Sequence, residues 1–475
     1  MNGRYLLLKK TFRWIISLPI LLSGISHSYA QSNDKKIFGV KDFIEQVKQF
    51  HPVSKQAGIL VSMAEAALLS AKGNFDPVLD IEASRKTFDG KNYYHYTNPE
   101  LMIPLPIGDL KTGLENNGGD YLFSEATKGK SSYLGIELPL ARGLVTDKRR
   151  TFLRQARIYQ EQSEQERLQM LNNLFFEAYT SYWQWAGNYE LSRIYAGFVE
   201  VAEKRLRLVR VAFQNGDRSV MDTLEAFTQL QNFQQSITDA QMKLTNASLE
   251  LSNFLWQEGN IPRQLPEEYS PDTLNALSLS ELLTKEELIE QSSLNNPLLL
   301  TYTYKLKALE LDKKLKSQNL LPYFSVKTNL LYKEYDLLKS IDPVYIENNY
   351  KWGLALKLPL FLREERGNYQ KVKLKLKETE LAFLLKKQEI NNKISAYNNE
   401  CRQLASQLIT TRKLYQNYAL LLRNEELKLS QGESSLFLVN SREIKMVETM
   451  QKQVELTIKY QKARYATEWA AGQLK

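Results

Sequence analysis

The sequence is poor in cysteine and histidine and, over two long stretches, in proline. Among 475 residues there is one cysteine, Cys401, and there are three histidines. A single cysteine excludes an intramolecular disulfide. Its place on an apolar seam makes it most simply a small buried residue. His27, His51 and His95 stand far apart, without cysteines or aspartates at ligand spacing, which argues against a histidine metal site. Gly118-Gly119 lacks the lysine and helix of a phosphate-cradling loop, and no serine sits in a nucleophile elbow with a histidine in reach. The expectation is a protein without catalytic residues, metal or cofactor. Past residue 25 no run approaches 18 apolar residues, so no transmembrane helix is expected.

The missing prolines mark what is there. None of the 122 residues between Pro139 and Pro262 is proline, and none follows Pro359. Within the first stretch Leu168, Leu171, Phe175, Ala178, Tyr182 and Trp185 recur at 3-4-3-4-3 spacing, a heptad seam. The second carries Ile394, Tyr397, Cys401, Leu404, Leu408, Thr411, Tyr415, Tyr418 and Leu422. Gly216, in Asn215-Gly216-Asp217, lies 77 residues past Pro139, and Gly432 lies 73 past Pro359. This is one long helical hairpin written twice. A helix over residues 146–215 is expected to reach on the order of 100 Å. Helices over 53–72 and 220–256 would stack end to end along it.

The first thirty residues read as a secretory signal. Arg4, Lys9, Lys10 and Arg13 precede an apolar core at residues 14–25, and Ser28-Tyr29-Ala30 supplies small cleavage-site residues. Removing these four basic residues and no acidic one lowers the net charge from +9 to +5. That is too little for a nucleic-acid footprint. The one basic run, Lys371, Lys373, Lys375 and Lys377, reads as a solvated helix face.

Pro52 and Pro77 recur 245 positions later as Pro297 and Pro322, and Asn74 as Asn319. After each second proline the period turns from helix to strand. Phe324, Val326, Thr328, Leu330 and Tyr332 alternate with polar residues, as do Tyr350, Trp352, Leu354, Leu356 and Leu358. In the first half Leu134, Ile136, Leu138 and Leu140 alternate likewise, and Leu79, Ile81 and Ala83 more weakly. That makes four strands, each with an apolar and a polar face. Residues 88–130, with Pro99, Pro104, Pro106 and Gly118-Gly119, and residues 336–349 read as loops at one end of a sheet. Four such strands fit either a sheet on a soluble core or part of a barrel in lipid. Four cannot close a barrel, and an open edge is not tolerated in lipid, so several chains would share it.

With these elements in order, the chain resembles the TolC-type outer-membrane efflux proteins over nearly all of its mature length. The resemblance rests on Gly353-Leu354-Ala355-Leu356-Lys357-Leu358-Pro359-Leu360-Phe361 and its partner Gly135-Ile136-Glu137-Leu138-Pro139-Leu140. It rests also on the first turn, where Phe213, Gly216 and Ser219 precede Asp222, Leu224 and Ala226. It implies an α+β membrane protein: a long α-helical coiled-coil barrel plus a transmembrane β-barrel shared by a homotrimer, four strands per chain. The implied location is the outer membrane with a periplasmic helical domain, and the implied partners are a periplasmic adaptor protein, an inner-membrane transporter and outer-membrane lipid. The implied function is export across periplasm and outer membrane, with type I protein secretion the alternative to small-molecule efflux. A secreted coiled-coil scaffold or adhesin is the alternative of another class, and it leaves the paired amphipathic strands unexplained.

The expected division is residues 1–30 signal, 31–261 first repeat, 262–295 linker with a short helix, and 296–475 second repeat. Trp352, Leu354, Leu356, Leu358, Leu134 and Ile136 are expected to face lipid. Asp80, Glu82, Glu137, Lys327, Lys351 and Lys357 are expected to face a lumen. In the family, acidic residues past the turns ring the periplasmic aperture. Six residues past Gly216 stands Asp222, but six and nine past Gly432 stand Leu438 and Ser441. Arg218 has Ser434 as its counterpart. Leu438 on the axis would form an apolar constriction, leaving Asp222 for salt bridges between hairpins or adaptor contact. Packing of Leu438 with Leu436 and Val439 inside the hairpin is the alternative.

Overall fold

A computed structural model describes residues 36–122, 124, 126–272, 284–335 and 349–474. The signal reading of residues 1–30 and the loop reading of 336–348 lie outside these. The helices are α1 (Val40–Phe50), α2 (Pro52–Lys72), α3 (Lys148–Gln214), α4 (Val220–Ser252), α5 (Lys285–Asn295), α6 (Pro297–Gln318), α7 (Arg363–Ser430) and α8 (Leu436–Ala471). The main strands are β2 (Val78–Phe88), β3 (Lys91–Leu105), β4 (Gly108–Gly118), β5 (Gly129–Pro139), β9 (Tyr323–Lys333) and β10 (Tyr350–Lys357). Two short pairs tie the chain at mid-length, β1 (Lys36–Phe38) with β8 (Tyr269–Pro271) and β6 (Trp256–Gln257) with β7 (Ile261–Pro262).

α3 and α7, of 67 and 68 residues, are the two long rods, each about 100 Å at 1.5 Å per residue. α2 and α4 both pack on α3, α6 and α8 both pack on α7, and α6 and α8 also contact α3. The seam drives this: Leu171, Phe175, Ala178, Tyr182 and Trp185 are buried, as are Ile394, Cys401, Leu404 and Leu422. A small residue sets how closely α8 approaches α3. A Cβ on Gly187 would clash with the Ile458 side chain of α8.

Both hairpins turn in the same way. Gly216 has φ 80° and Gly432 φ 79°, a conformation that favours glycine. Asp217 N–H donates to the Ala212 carbonyl and Glu433 N–H to that of Lys428, the long Schellman bond, at 2.9 Å in each. Three residues past each glycine a serine, Ser219 or Ser435, caps the returning helix.

The duplication runs further than its prolines. An offset of 245 carries the bounds of α1 onto α5 and those of β2 onto β9. The repeated unit therefore reaches back to Lys285, inside the segment assigned above to the linker. Each α1–α2 or α5–α6 corner also uses one cap. His51 Nδ1 accepts from Val53 N–H at 3.2 Å, and Asn296 Oδ1 accepts from Leu298 N–H at 3.0 Å.

The sheet departs from the sequence reading. It has six strands in the order β10-β9-β5-β4-β3-β2, every pair antiparallel, where four were expected. The two additional strands, β3 and β4, lie in the segment read as loop. Asp89-Gly90 joins β2 to β3 with φ of 48° and 71°, the left-handed pair of a tight hairpin turn. Pro99 is tolerated because the β3–β4 ladder lapses there, stepping from Thr97↔Asn116 to Glu100↔Gly113. Leu358 lies one residue past β10 and so is not in a strand.

The His51 cap has a pH consequence. Burial lowers the His51 pKa below its ordinary value, against a smaller opposing effect of a hydrogen bond to the Asn253 backbone. A folded pKa below the unfolded one means stability present above pH 6.5 and lost as pH falls below it. Protonation also removes the Nδ1 acceptor, worth about 1 kcal/mol as a helix cap. His51→Asn, copying the second repeat, is expected to keep the cap and to lose less melting temperature than wild type between pH 7.5 and pH 5.

Candidate channel wall and hairpin tips

Residues paired across antiparallel strands share a face, so the registers sort the sheet into two surfaces. On one lie Leu79 and Ile81, Leu101 and Ile103, Leu110 and Leu114, Leu134 and Ile136, Val326 and Leu330, and Trp352, Leu354 and Leu356. On the other lie Asp80 and Glu82, Glu100, Asp109 and Lys111, Glu137, Lys327, Lys351 and Lys357. The apolar surface is open in the single chain, with Trp352 63%, Leu354 57% and Leu356 68% exposed. Contiguous apolar exposure on this scale marks a surface made for lipid or protein.

The polar face is knitted together. Glu137 accepts Lys327 at 3.2 Å and Lys111 at 3.5 Å, and Lys111 also lies 3.8 Å from Glu100. Tyr133 donates its hydroxyl to Glu100, and Ser131 to Glu115 at 3.0 Å. Gly113 leaves room for the Tyr133 ring, 2.7 Å from where a Cβ would stand. The sheet is fixed to the rods at one end, where Arg149 at the start of α3 binds Asp109 at 2.7 Å. The β3–β4 turn, Pro106-Ile107, and the starts of β2 and β9 share that end.

At the far end of the rods the hairpin turns form two tips. Asp222 is committed to a capping box: its carboxylate accepts from the Ser219 N–H at 3.0 Å and hydroxyl at 2.9 Å, while its own N–H donates to Ser219 Oγ. The spacing Ser219-x-x-Asp222 carries that signal in the sequence. Arg218 is half-exposed beside it. In the second tip Ser434 donates to Glu425, Ser441 is exposed, and Leu438 is 41% exposed while Leu436 and Val439 are buried.

The bridge between the tips is elsewhere. Arg205 of α3 holds Glu443 of α8 with both guanidinium nitrogens, at 2.7 and 2.8 Å, and donates to Asn440 at 3.1 Å. Asn440 in turn donates to Glu225 of α4 at 3.3 Å. Glu443 is 2% exposed, in step with buried Leu436, Val439, Asn440 and Val447, so a carboxylate on the apolar seam was its sequence signal. The two helices flank a groove of about 480 Å³ lined by Met221, Leu224, Phe437 and Ile444. Among the described residues no helix is long and apolar enough to cross a membrane, and no group of three acidic, histidine or cysteine residues gathers as metal ligands do.

Comparison with known proteins places this geometry. Residues 108–255 match the family model described as outer membrane efflux protein. No curated protein matches the chain. The CmeC outer membrane channel of Campylobacter jejuni superposes with TM-score 0.64 at 14% identity, over 92% of this chain and 86% of that one. The MtrE outer membrane channel of Neisseria gonorrhoeae, in its open state, gives 0.63 at 13% identity, over 92% and 89%. The outer membrane protein VceC of Vibrio cholerae gives 0.62 at 13%, over 91% and 96%. At such identities the likeness is one of fold.

Removing one partner of a buried, doubly hydrogen-bonded ion pair costs about 3–5 kcal/mol, because the other charge is stranded. Arg205→Ala and Glu443→Ala are each expected to destabilise the hairpins by that order. The double variant is expected to lose much less than the sum, a coupling readable in a double-mutant cycle of denaturation midpoints.

Proposed function

We propose that this TolC-like outer-membrane efflux protein is one of three identical subunits of a conduit that spans the outer membrane and the periplasm. The observation that carries the reading is the sheet: one face apolar and bare, the other charged and internally paired, set at one end of rods about 100 Å long. Such a sheet has a reason to exist where hydrocarbon meets one face and water the other. β2, β4, β5 and β9, of 11 residues each, have the length of a tilted membrane crossing. In this reading Trp352, Leu354, Leu356, Leu134 and Ile136 face lipid, and Leu358 lies beside them at the membrane edge. Asp80, Glu82, Glu137, Lys327, Lys351 and Lys357 line the lumen. The rods form the periplasmic tube, and their tips meet a periplasmic adaptor and an inner-membrane transporter. The protein is a passage for small molecules, exported with a cleaved signal, and not a catalyst.

At the periplasmic end the constriction is apolar. Phe437 and Leu438 stand exposed beside the second turn, where the family carries acidic residues, and Asp222 is spent on its helix cap. Three copies of Leu438 around an axis would gate by dewetting.

Two outcomes test this. Leu354→Arg is expected to impair barrel assembly by about 2–4 kcal/mol, as for arginine at the bilayer midplane. Recovery of folded wild-type protein without detergent would instead speak for a soluble sheet. Leu438→Asp is expected to raise single-trimer conductance in planar bilayers and to bring sensitivity to divalent cations. Unchanged conductance without cation block would place Leu438 off the axis.

A further inference from the structure

We infer that the assembled barrel has eighteen strands, six from each of three copies, closed where β2 of one copy pairs antiparallel with β10 of the next. The inference rests on the trimeric reading above. Six strands per chain and their registers are features of the fold itself.

The β3–β4 hairpin is a wall element by three independent marks. Its side chains obey the sheet's division, with Leu101, Ile103, Leu110 and Leu114 on the apolar face and Glu100 and Lys111 on the polar one. It is bonded on both sides, to β2 and to β5. Its inner end is clamped by Asp109 to Arg149, and Gly108 lets it approach β5 where a Cβ would clash with the Glu137 carbonyl oxygen. It is also what distinguishes the two repeats. The offset between them is 245 through β2 and β9 but 215 at the starts of α3 and α7, a difference of thirty residues. Lys91–Gly118 nearly accounts for it.

The registers give the tilt such a wall needs. Lys357 lies opposite Tyr323, Pro139 opposite Ser325, Asp109 opposite both Glu137 and Pro104, and Val78 opposite Met102. The inner ends thus climb two residues at each of three points, six in all, over the five spacings from β10 to β2. At roughly 3.4 Å per residue and 4.8 Å per strand this is a tilt of about 40°, within the range of closed barrels. With six antiparallel strands, β2 and β10 run in opposite senses, so identical copies close head to tail with antiparallel seams.

Charge chooses the same seam. The polar face of β2 carries Asp80 and Glu82 just past Val78, and that of β10 ends in Lys357. Continuing the climb while keeping faces matched sets Lys357 opposite Val78 or Asp80 of the neighbouring copy. Either register brings Lys357 within one diagonal step of Asp80, and Glu82 then faces Gly353 or Ala355, which leave it room. Diameter grows roughly linearly with strand number, so this exit is about one and a half times as wide as a twelve-stranded one. The narrowest point, and with it selection by size, then falls to the helical tips.

The test is electron cryo-microscopy of the full-length protein in lipid nanodiscs. A threefold particle with eighteen wall strands is the expected result. A threefold particle with twelve, its hairpins lying off the wall, overturns this inference and leaves the trimer standing. A particle of other symmetry overturns the trimer as well. A second measurement needs no map. With Cys401 buried, a water-soluble maleimide is expected to label Asn98→Cys and to spare Leu101→Cys and Leu114→Cys in membranes. Equal labelling of all three would put the hairpin in water and overturn the inference.

Discussion

In hydrocarbon each backbone N–H or C=O without a partner costs several kcal/mol, so a strand there cannot have a free edge. The rest of this architecture follows from that constraint once the sheet is read as a membrane element. β2 and β10 are the edges of a sheet whose four inner strands are each bonded on both sides. A chain that cannot satisfy them alone must satisfy them on copies of itself, and the copies must then be arranged around an axis. The polar face, with Glu137 between Lys111 and Lys327, is the face such a ring encloses.

The rods obey a second rule. A helix pair of this length is held by repetition, a seam residue every three or four positions, and not by one core. That is why α2 and α4 can both lie along α3, and α6 and α8 along α7 while also touching α3. Of the largest buried side chains, Trp185, Tyr182, Phe43 and Phe175 gather at mid-length, where the short helices and the β1–β8 pair meet. Toward the tips a second apolar cluster, with Leu206, Leu230, Phe233 and Val447, is joined by the directional bonds of Arg205, Glu443 and Asn440. Such bonds hold one geometry firmly.

Most of this was legible in the sequence for a physical reason. Long helices advertise themselves by missing prolines and by period, and the turns by Gly216 and Gly432, so the rod bounds fell within a few residues of expectation. The matched prolines revealed the repeat because proline at the first helical position is a structural demand, met at Pro52 and Pro297 alike. The β3–β4 hairpin was missed because Pro99, Pro104 and Gly118-Gly119 are loop signals taken singly. Only the ladder shows that Pro99 sits where no bond to β4 is needed. Asp89-Gly90 between alternating segments was the readable clue. At the tips, the expected salt-bridge or adaptor role of Asp222 leaves out its helix cap, which the serine three residues earlier signals. The Arg205–Glu443 bridge joins residues 238 apart, and only the carboxylate on the seam hinted at it.

The central claim is that the two faces of one strand lie in different solvents. Nitroxide labels placed one at a time along β10, at Lys351, Trp352, Gly353, Leu354, Ala355 and Leu356, measure this directly in reconstituted membranes. The account predicts alternation with a period of two. Oxygen, which concentrates in lipid, should relax the labels at 352, 354 and 356, and a water-soluble nickel chelate those at 351, 353 and 355. Uniform access of the nickel chelate to all six positions would contradict it.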